Sequence, residues 1–131
     1  MVAVIDSDTL TVLDATNTQH PVRLAGIDAP ERGQPFGTKA KQALSGQVFG
    51  KDVTVNSGGQ DRYGRTLGEI IVDGESVNVW LVRSGWAWWY ERYAPDNTQL
   101  RDAQQEARQS GRGLWADPNP VPPWEWRRGK R

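Results

Sequence analysis

The chain has 131 residues (14.6 kDa), 37% of them hydrophobic and 24% charged, proportions that suit one domain around one core rather than a disordered or fibrous segment. Cysteine is absent and His20 is the single histidine, which excludes thiol nucleophiles, thiolate zinc sites, iron–sulfur clusters, disulfide scaffolds and multi-histidine metal sites. Sixteen Lys and Arg balance sixteen Asp and Glu, which argues against coating nucleic acid through bulk charge and leaves carboxylates, arginines, hydroxyls and backbone to carry any chemistry.

No apolar run approaches the roughly 18 residues of a membrane span, and the N-terminus lacks the charged and apolar regions of a signal peptide. A strand-like pattern begins at Val2, directly after Met1. If the chain is a mature or trimmed one whose leader has gone, a secreted or periplasmic location is expected; the cysteine-free composition itself fits an exported and a cytosolic protein equally well.

Residues 2–13, rich in Val, Ile, Thr and Leu, predict strand interrupted by the polar group Asp6-Ser7-Asp8; 14–20 have turn composition, and 22–27 predict a second strand. Ala40, Ala43, Leu44 and Val48 recur at three-and-four spacing and predict a helix over 37–48, with Gly50 as terminator. Residues 51–56 and 66–72 predict further strands, the second ending at the turn signal Asp73-Gly74, with a polar, glycine-containing connector over 57–64. A second helix is expected over 77–84 with Val77, Trp80 and Leu81 on one side, then an aromatic strand over 86–93. The clearest helix is 97–109, capped by Asp96 or Asn97, with Leu100, Ala103 and Ala107 as its apolar stripe. Beyond Gly113, Pro118, Pro120, Pro122 and Pro123 argue against regular structure, while Trp115, Trp124 and Trp126 supply surface for docking. A single domain over 1–131 is expected, its tail over 116–131 extended and docked, ending in a mobile basic stretch of Arg127, Arg128, Lys130 and Arg131.

Three clusters carry the candidate chemistry. Asp6 and Asp8 are two apart in an extended run, which puts both carboxylates on one strand face unless the run bulges or ends there. Asp28-Ala29-Pro30-Glu31 follows a strand whose start carries Arg23; the proline makes a rigid exit that can point a carbonyl oxygen and both carboxylates inward. With Asp8 this is an all-oxygen donor set, of the kind that suits Ca²⁺ or Mg²⁺ rather than zinc or copper. Strict alternation would place Arg23 and Asp28 on opposite faces, so their convergence requires the chain to leave strand geometry near Ile27. Asp61-Arg62-Tyr63-Gly64-Arg65 sets two arginines and a tyrosine around a glycine, a group that can hold a phosphate and stack on a base; taken alone, the motif reads more readily as Arg65 paired structurally with Asp61 or lying exposed on a strand.

The order Val4-Ile5-Asp6-Ser7-Asp8-Thr9, then Val22-Arg23-Leu24-Ala25-Gly26-Ile27-Asp28-Ala29-Pro30-Glu31, then Asp61-Arg62-Tyr63-Gly64-Arg65-Thr66-Leu67 resembles the staphylococcal nuclease family of calcium-dependent nucleases. The likeness extends over almost the whole chain through residues 77–85, Tyr93-Ala94-Pro95-Asp96-Asn97, Gly113-Leu114-Trp115 and Pro122-Pro123-Trp124-Glu125-Trp126. It implies an α+β fold, an OB-fold five-stranded β-barrel with three α-helices. It further implies Ca²⁺ held by Asp8, Asp28 and the main-chain carbonyl of Ala29, with Asp6 acting through water. Glu31 matches the carboxylate proposed as general base, Arg23 and Arg65 the arginines that grip the scissile phosphate, and Arg62, Tyr63 and Tyr93 positions that contact the nucleotide. The implied activity is hydrolysis of DNA and RNA to 3′-phosphate ends by a monomer that prefers single-stranded or frayed regions. Ser7 stands where glycine is usual, Ala29 where the staphylococcal enzyme has threonine, and Glu91 where it has a second pocket tyrosine. The segment over 32–39 is shorter, and the neutral chain implies weaker polynucleotide attraction with a lower salt dependence. Two other readings are a catalytically inactive nucleic-acid-binding module on the same fold and a carbohydrate-binding module built on the seven tryptophans; the joint presence of Asp8, Arg23, Asp28, Glu31 and Arg65 argues against the first, and the core and tail placement of the tryptophans against the second.

Overall fold

Alternating apolar and polar residues set the sheet. In the computed structural model, which describes residues 2–129, β1 (Val2–Asp6) and β2 (Thr9–Leu13) form an antiparallel hairpin, and β3 (Gln19–Leu24) adds to β2 with Thr9 opposite Arg23. β3 then pairs in parallel with β6 (Thr66–Val72), Arg23 standing in register with Leu67, and β5 (Thr54–Gln60) lies antiparallel on the far side of β6. The sheet order is β1-β2-β3-β6-β5, and β7 (Glu75–Ser76) returns onto β6 through the Asp73-Gly74 turn read from the sequence. A separate two-residue pair joins β4 (Ile27–Asp28) to β8 (Trp88–Trp89).

Helix α1 (Gly37–Val48) buries Gly37, Ala40, Leu44 and Val48, one turn apart along a single stripe, and spans the range its spacing predicts. Ser76 opens α2 (Val77–Arg83) by accepting from the Val79 N–H, and Asn97 opens α3 (Thr98–Ser110) by accepting from the Leu100 N–H. The helices meet the sheet over a core of Leu10, Val22, Leu24, Ile27, Leu44, Ile70, Leu81 and Leu100, each almost wholly removed from water. Among the described residues no helix is long and apolar enough to cross a membrane.

The α+β class agrees with the sequence, and several element details differ. The strand expected over 86–93 shrinks to β8, because among the described residues its partner strand is the two-residue β4. The polar connector expected from 57 is strand as far as Gln60, with its register shifting between Ser57 and Gln60. The proline-rich tail is not wholly irregular: a 3₁₀ turn covers Gly113–Ala116, and a fourth helix, α4 (Pro123–Trp126), follows. Pro123 starts that helix, where a missing N–H costs nothing. Among the described residues no pairing joins β5 to β1, so the strands form an open path.

One buried amide locks α2 to the sheet beside the chemistry. Asn78 accepts from the Ile70 N–H (3.1 Å) and donates to the carbonyls of Ala25 (3.0 Å) and Gly68 (3.2 Å). Asn78→Ala therefore leaves buried backbone groups short of partners and is expected to lower the unfolding free energy by about 2–3 kcal/mol, measured in urea. At the β2–β3 turn, Asp14 accepts from the Thr16 hydroxyl, lies 2.7 Å from His20 Nε2, and accepts the N–H groups of Thr18 and Thr16. In that order these contacts hold its carboxyl well below the usual carboxylate range. A depressed native pKa stabilises above the unfolded-chain value of 3.8 and is lost as pH falls through the native one. The urea midpoint of wild type should exceed that of Asp14→Asn by a constant margin near neutral pH, and the margin should shrink below about pH 4.

Candidate active site

The site is assembled by a turn that breaks strand alternation. β3 ends at Leu24, the Ala25 N–H donates to the Gly68 carbonyl, and Gly26 adopts φ +76°, a left-handed conformation in which a Cβ would also sit 2.8 Å from Leu100 Cδ1. The chain resumes as β4, whose Asp28 stands opposite Trp88 with its side chain 1% exposed. The departure thus comes at Ala25-Gly26, just before the Ile27 position where the sequence requires it, and it brings Arg23 and Asp28 to one side.

Arg23 is fixed by its own neighbourhood. Nη1 donates to the Leu24 carbonyl (2.7 Å) and Nη2 to the Ile27 carbonyl (2.9 Å); Nη2 also lies 3.4 Å from Asp8 Oδ2 and 3.7 Å from Asp28 Oδ1. Asp8 sits in the β1–β2 turn, accepting from the Thr9 hydroxyl (3.1 Å) and, more distantly, from the Ala29 N–H (3.4 Å). Asp6 does not share a strand face with it. The β1–β2 register shifts between Val4 and Asp6, the chain reverses through Ser7 and Asp8, and Asp6 Oδ1 accepts from the Ser7 N–H.

The segment after β4 is tied down from three sides. The buried Ser7 hydroxyl donates to the Pro30 carbonyl (2.7 Å), the Glu31 N–H donates to Gln34 Oε1 (3.0 Å), and Gln34 Nε2 donates to the Val121 carbonyl in the tail (2.7 Å). Gly37 admits this loop against α1, since a Cβ there would fall 2.1 Å from the Glu31 carbonyl oxygen.

The tail completes the site with Arg127, which the sequence assigns to a mobile basic end. Its Nη2 lies 2.5 Å from Asp28 Oδ2, and its Nη1 contacts both Asp28 Oδ1 (3.3 Å) and Glu31 Oε1. Lys130 and Arg131, the rest of that end, lie outside the described residues. Burial pushes the Asp28 carboxyl above its ordinary value; Arg127 and then Arg23 oppose this, and Asp8 adds to it. The hydrogen bond to Asp28 holds the Arg127 guanidinium still more firmly protonated than usual. Arg127, Gln34 and the Ser7 hydroxyl are the contributions that motif reading misses. The signal available for Arg127 was a carboxylate in an apolar surrounding that needs a cation, together with a tail able to dock through tryptophan.

The third motif forms a platform of its own. Asp61 accepts from the N–H groups of Tyr63 and Arg65 and from Arg65 Nε (2.7 Å). Although desolvation acts upward, these contacts outweigh it and keep the Asp61 carboxyl below the usual range. The guanidiniums of Arg62 and Arg65 lie 5.0 and 5.5 Å from the centre of the exposed Tyr63 ring. Arg65 precedes β6 and stands two positions before Leu67, the register partner of Arg23. Tyr93 is exposed and packs on Tyr90 (4.7 Å). Asp8, Arg23, Asp28, Ala29 and Glu31 are thus gathered, whereas among the described residues Asp6, Arg62, Tyr63, Arg65 and Tyr93 form no hydrogen bond or ion pair with those carboxylates.

Among the described residues no group of three His, Cys, Asp or Glu side chains is arranged to hold a metal ion. A cation here would rest on two carboxylates, Asp8 and Asp28, with the Ala29 carbonyl and water. The donors fit a hard cation in kind: all are oxygens, and both carboxylates already converge on one positive charge at Arg23.

Residues 21–117 match the family model described as Staphylococcal nuclease homologue. The chain is 44% identical to a Haemophilus influenzae protein named an uncharacterized endonuclease, over all of this chain and 73% of that protein. It is 47% identical to an Escherichia coli O157:H7 protein of the same name (99% of this chain, 84% of that one) and 40% identical to a micrococcal nuclease of Shigella flexneri (100% and 80%).

Ser7→Ala removes the buried bond that holds the Pro30 carbonyl to the β1–β2 turn. The expected loss is about 1–2 kcal/mol of unfolding free energy by urea titration, with the far-ultraviolet circular dichroism of the folded state unchanged.

Proposed function

The chain belongs to the staphylococcal nuclease family, and from that premise we propose that it is a calcium-dependent nuclease that hydrolyses phosphodiester bonds of DNA and RNA to 3′-phosphate ends. The observation that carries the reading is the convergence of Asp8 and Asp28 on Arg23, which gathers cation donors and a phosphate-binding guanidinium in one place. The fold we assign with it is the OB-type arrangement, built on the strand path β1-β2-β3-β6-β5.

In this reading Asp8, Asp28 and the Ala29 carbonyl would hold Ca²⁺, which when bound would supply charge neutralisation at a phosphate oxygen and order water. Arg23, held rigid by the carbonyls of Leu24 and Ile27, presents its guanidinium to a phosphate without reorganising. Asp61 fixes Arg65 through Nε, leaving the two Nη groups to meet equatorial phosphate oxygens. Glu31 takes a proton from the attacking water on a carboxylate oxygen. Asp6 would act on the cation through water, from beside the turn rather than from a strand face shared with Asp8. Tyr63, flanked by Arg62, and Tyr93 offer exposed rings to a base, which favours single-stranded or frayed substrate over an intact duplex.

The test is digestion of DNA and RNA by the purified protein with Ca²⁺ and with a chelator, alongside Glu31→Gln and Arg65→Ala. Wild type should cut only with the ion, leaving ends that a polymerase extends only after phosphatase treatment. Each variant should lose at least about a hundredfold in kcat/KM, since its group acts on charge or a proton in the transition state. Cutting by the variants at the wild-type rate would refute the residue roles, and binding without cutting by wild type would identify a non-catalytic module.

A further inference from the structure

Arg127 stands where the cation's own donors are. Its fork covers both oxygens of Asp28 and reaches Glu31 as well, so one guanidinium occupies a carboxylate assigned to the cation and the carboxylate assigned to the water proton. A cation that uses the same edge of Asp28 meets a like charge already seated there.

The two partners differ in how freely they can yield. The Asp28 side chain is 1% exposed and is carried on the β4–β8 pair; the Arg127 side chain is 43% exposed and lies just past the end of α4. The segment that carries Arg127 is anchored upstream of it. Trp124 stacks on Tyr90 (5.0 Å, 20° between planes) and meets Trp88 edge-on (5.5 Å), while the Val121 carbonyl accepts from Gln34. Trp88 is also the register partner of Asp28, so the strand that carries Asp28's partner also carries part of the tail's anchor. The guanidinium is thereby kept at high local concentration beside the carboxylates, with a route to solvent that leaves the anchors in place.

We propose that Arg127 is a built-in competitor for the cation: the C-terminal strap keeps its guanidinium on Asp28 and Glu31 until a divalent cation takes Asp28 and displaces it. The inference rests on the cation site of the proposed function and adds to it a residue that sets its affinity. It also makes access to Glu31 conditional on the metal, because the guanidinium occupies Glu31 Oε1 until it leaves. By linkage, whatever holds Arg127 in place weakens the cation by the same factor by which the cation loosens Arg127.

The experiment is a calorimetric Ca²⁺ titration without nucleic acid, on wild type, Arg127→Gln, Arg127→Lys, Arg128→Gln and Asp28→Asn. Arg127→Gln should bind Ca²⁺ at least about tenfold more tightly than wild type, and Arg127→Lys, which keeps the charge but not the fork, should fall between them. Arg128→Gln removes the same charge from an exposed neighbouring position and should stay within about twofold of wild type. A gain at Arg127 no larger than that at Arg128 overturns the competitor while leaving the cation site standing. Failure of wild type and Arg127→Gln alike to bind Ca²⁺, or full affinity in Asp28→Asn, overturns the site and the competitor with it. A second readout is one that bulk charge does not move: Ca²⁺ should speed exchange of the Arg127 Nη–H groups with water in wild type, followed by nuclear magnetic resonance, and an unchanged rate counts against displacement.

Discussion

The candidate site depends on one desolvated carboxylate. Asp28 lies where water does not reach, and a carboxylate in that position persists as an anion only if cations and donors replace its hydration. Two arginines meet it from opposite ends of the sequence, Arg23 from β3 and Arg127 from the tail. The stacking of Trp124, the Gln34 clip and the short β4–β8 pair bring the tail to the place where that charge requires a partner. The opposing contributions to the Asp28 pKa express the same balance, burial acting upward and the two guanidiniums downward.

The location of that carboxylate follows from backbone chemistry rather than from any property of aspartate. Gly26 permits a left-handed turn that a side chain would block, both through strain and through collision with Leu100. Asn78 then holds the Ala25 carbonyl from α2, and the Tyr90 N–H donates to the Gly26 carbonyl from beyond β8. The turn is over-determined from two helices and a loop. It converts a sequence separation of five residues, which strict alternation would send to opposite faces, into an ion pair.

Local signals were legible where the period is long and the caps are ordinary. The spacing of Ala40, Leu44 and Val48 gives the bounds of α1, the run over 66–72 gives β6, and of the two cap candidates Asn97 rather than Asp96 caps α3. Asp8, Arg23, Asp28 and Glu31 were legible from motif order, which carries information that no single acidic pair holds. The rest is tertiary. A slip of register between Val4 and Asp6 separates two aspartates that spacing alone unites, and a partner strand two residues long cuts an aromatic strand down to Trp88 and Trp89. Arg127 lies nearly a hundred residues from Asp28, and no local pattern encodes that contact.

The chain's zero net charge hides a local imbalance that bears on what the site binds. Counted as ionised, Asp8, Asp28 and Glu31 bring three negative charges against the two positive charges of Arg23 and Arg127, leaving a residual charge of minus one in a partly dry place. With Arg127 withdrawn the residue is minus two, the charge that one divalent cation cancels. A guanidinium is thus an incomplete substitute for such an ion: it satisfies the buried oxygens of Asp28 yet leaves the cluster negative, repelling a phosphodiester. Exchange of one for the other would turn an anion-repelling cluster into a neutral one, beside a guanidinium newly free to face a phosphate. In the proposed reading a neutral protein thus meets a polyanion through local charge at the site, without the bulk positive charge that its composition lacks.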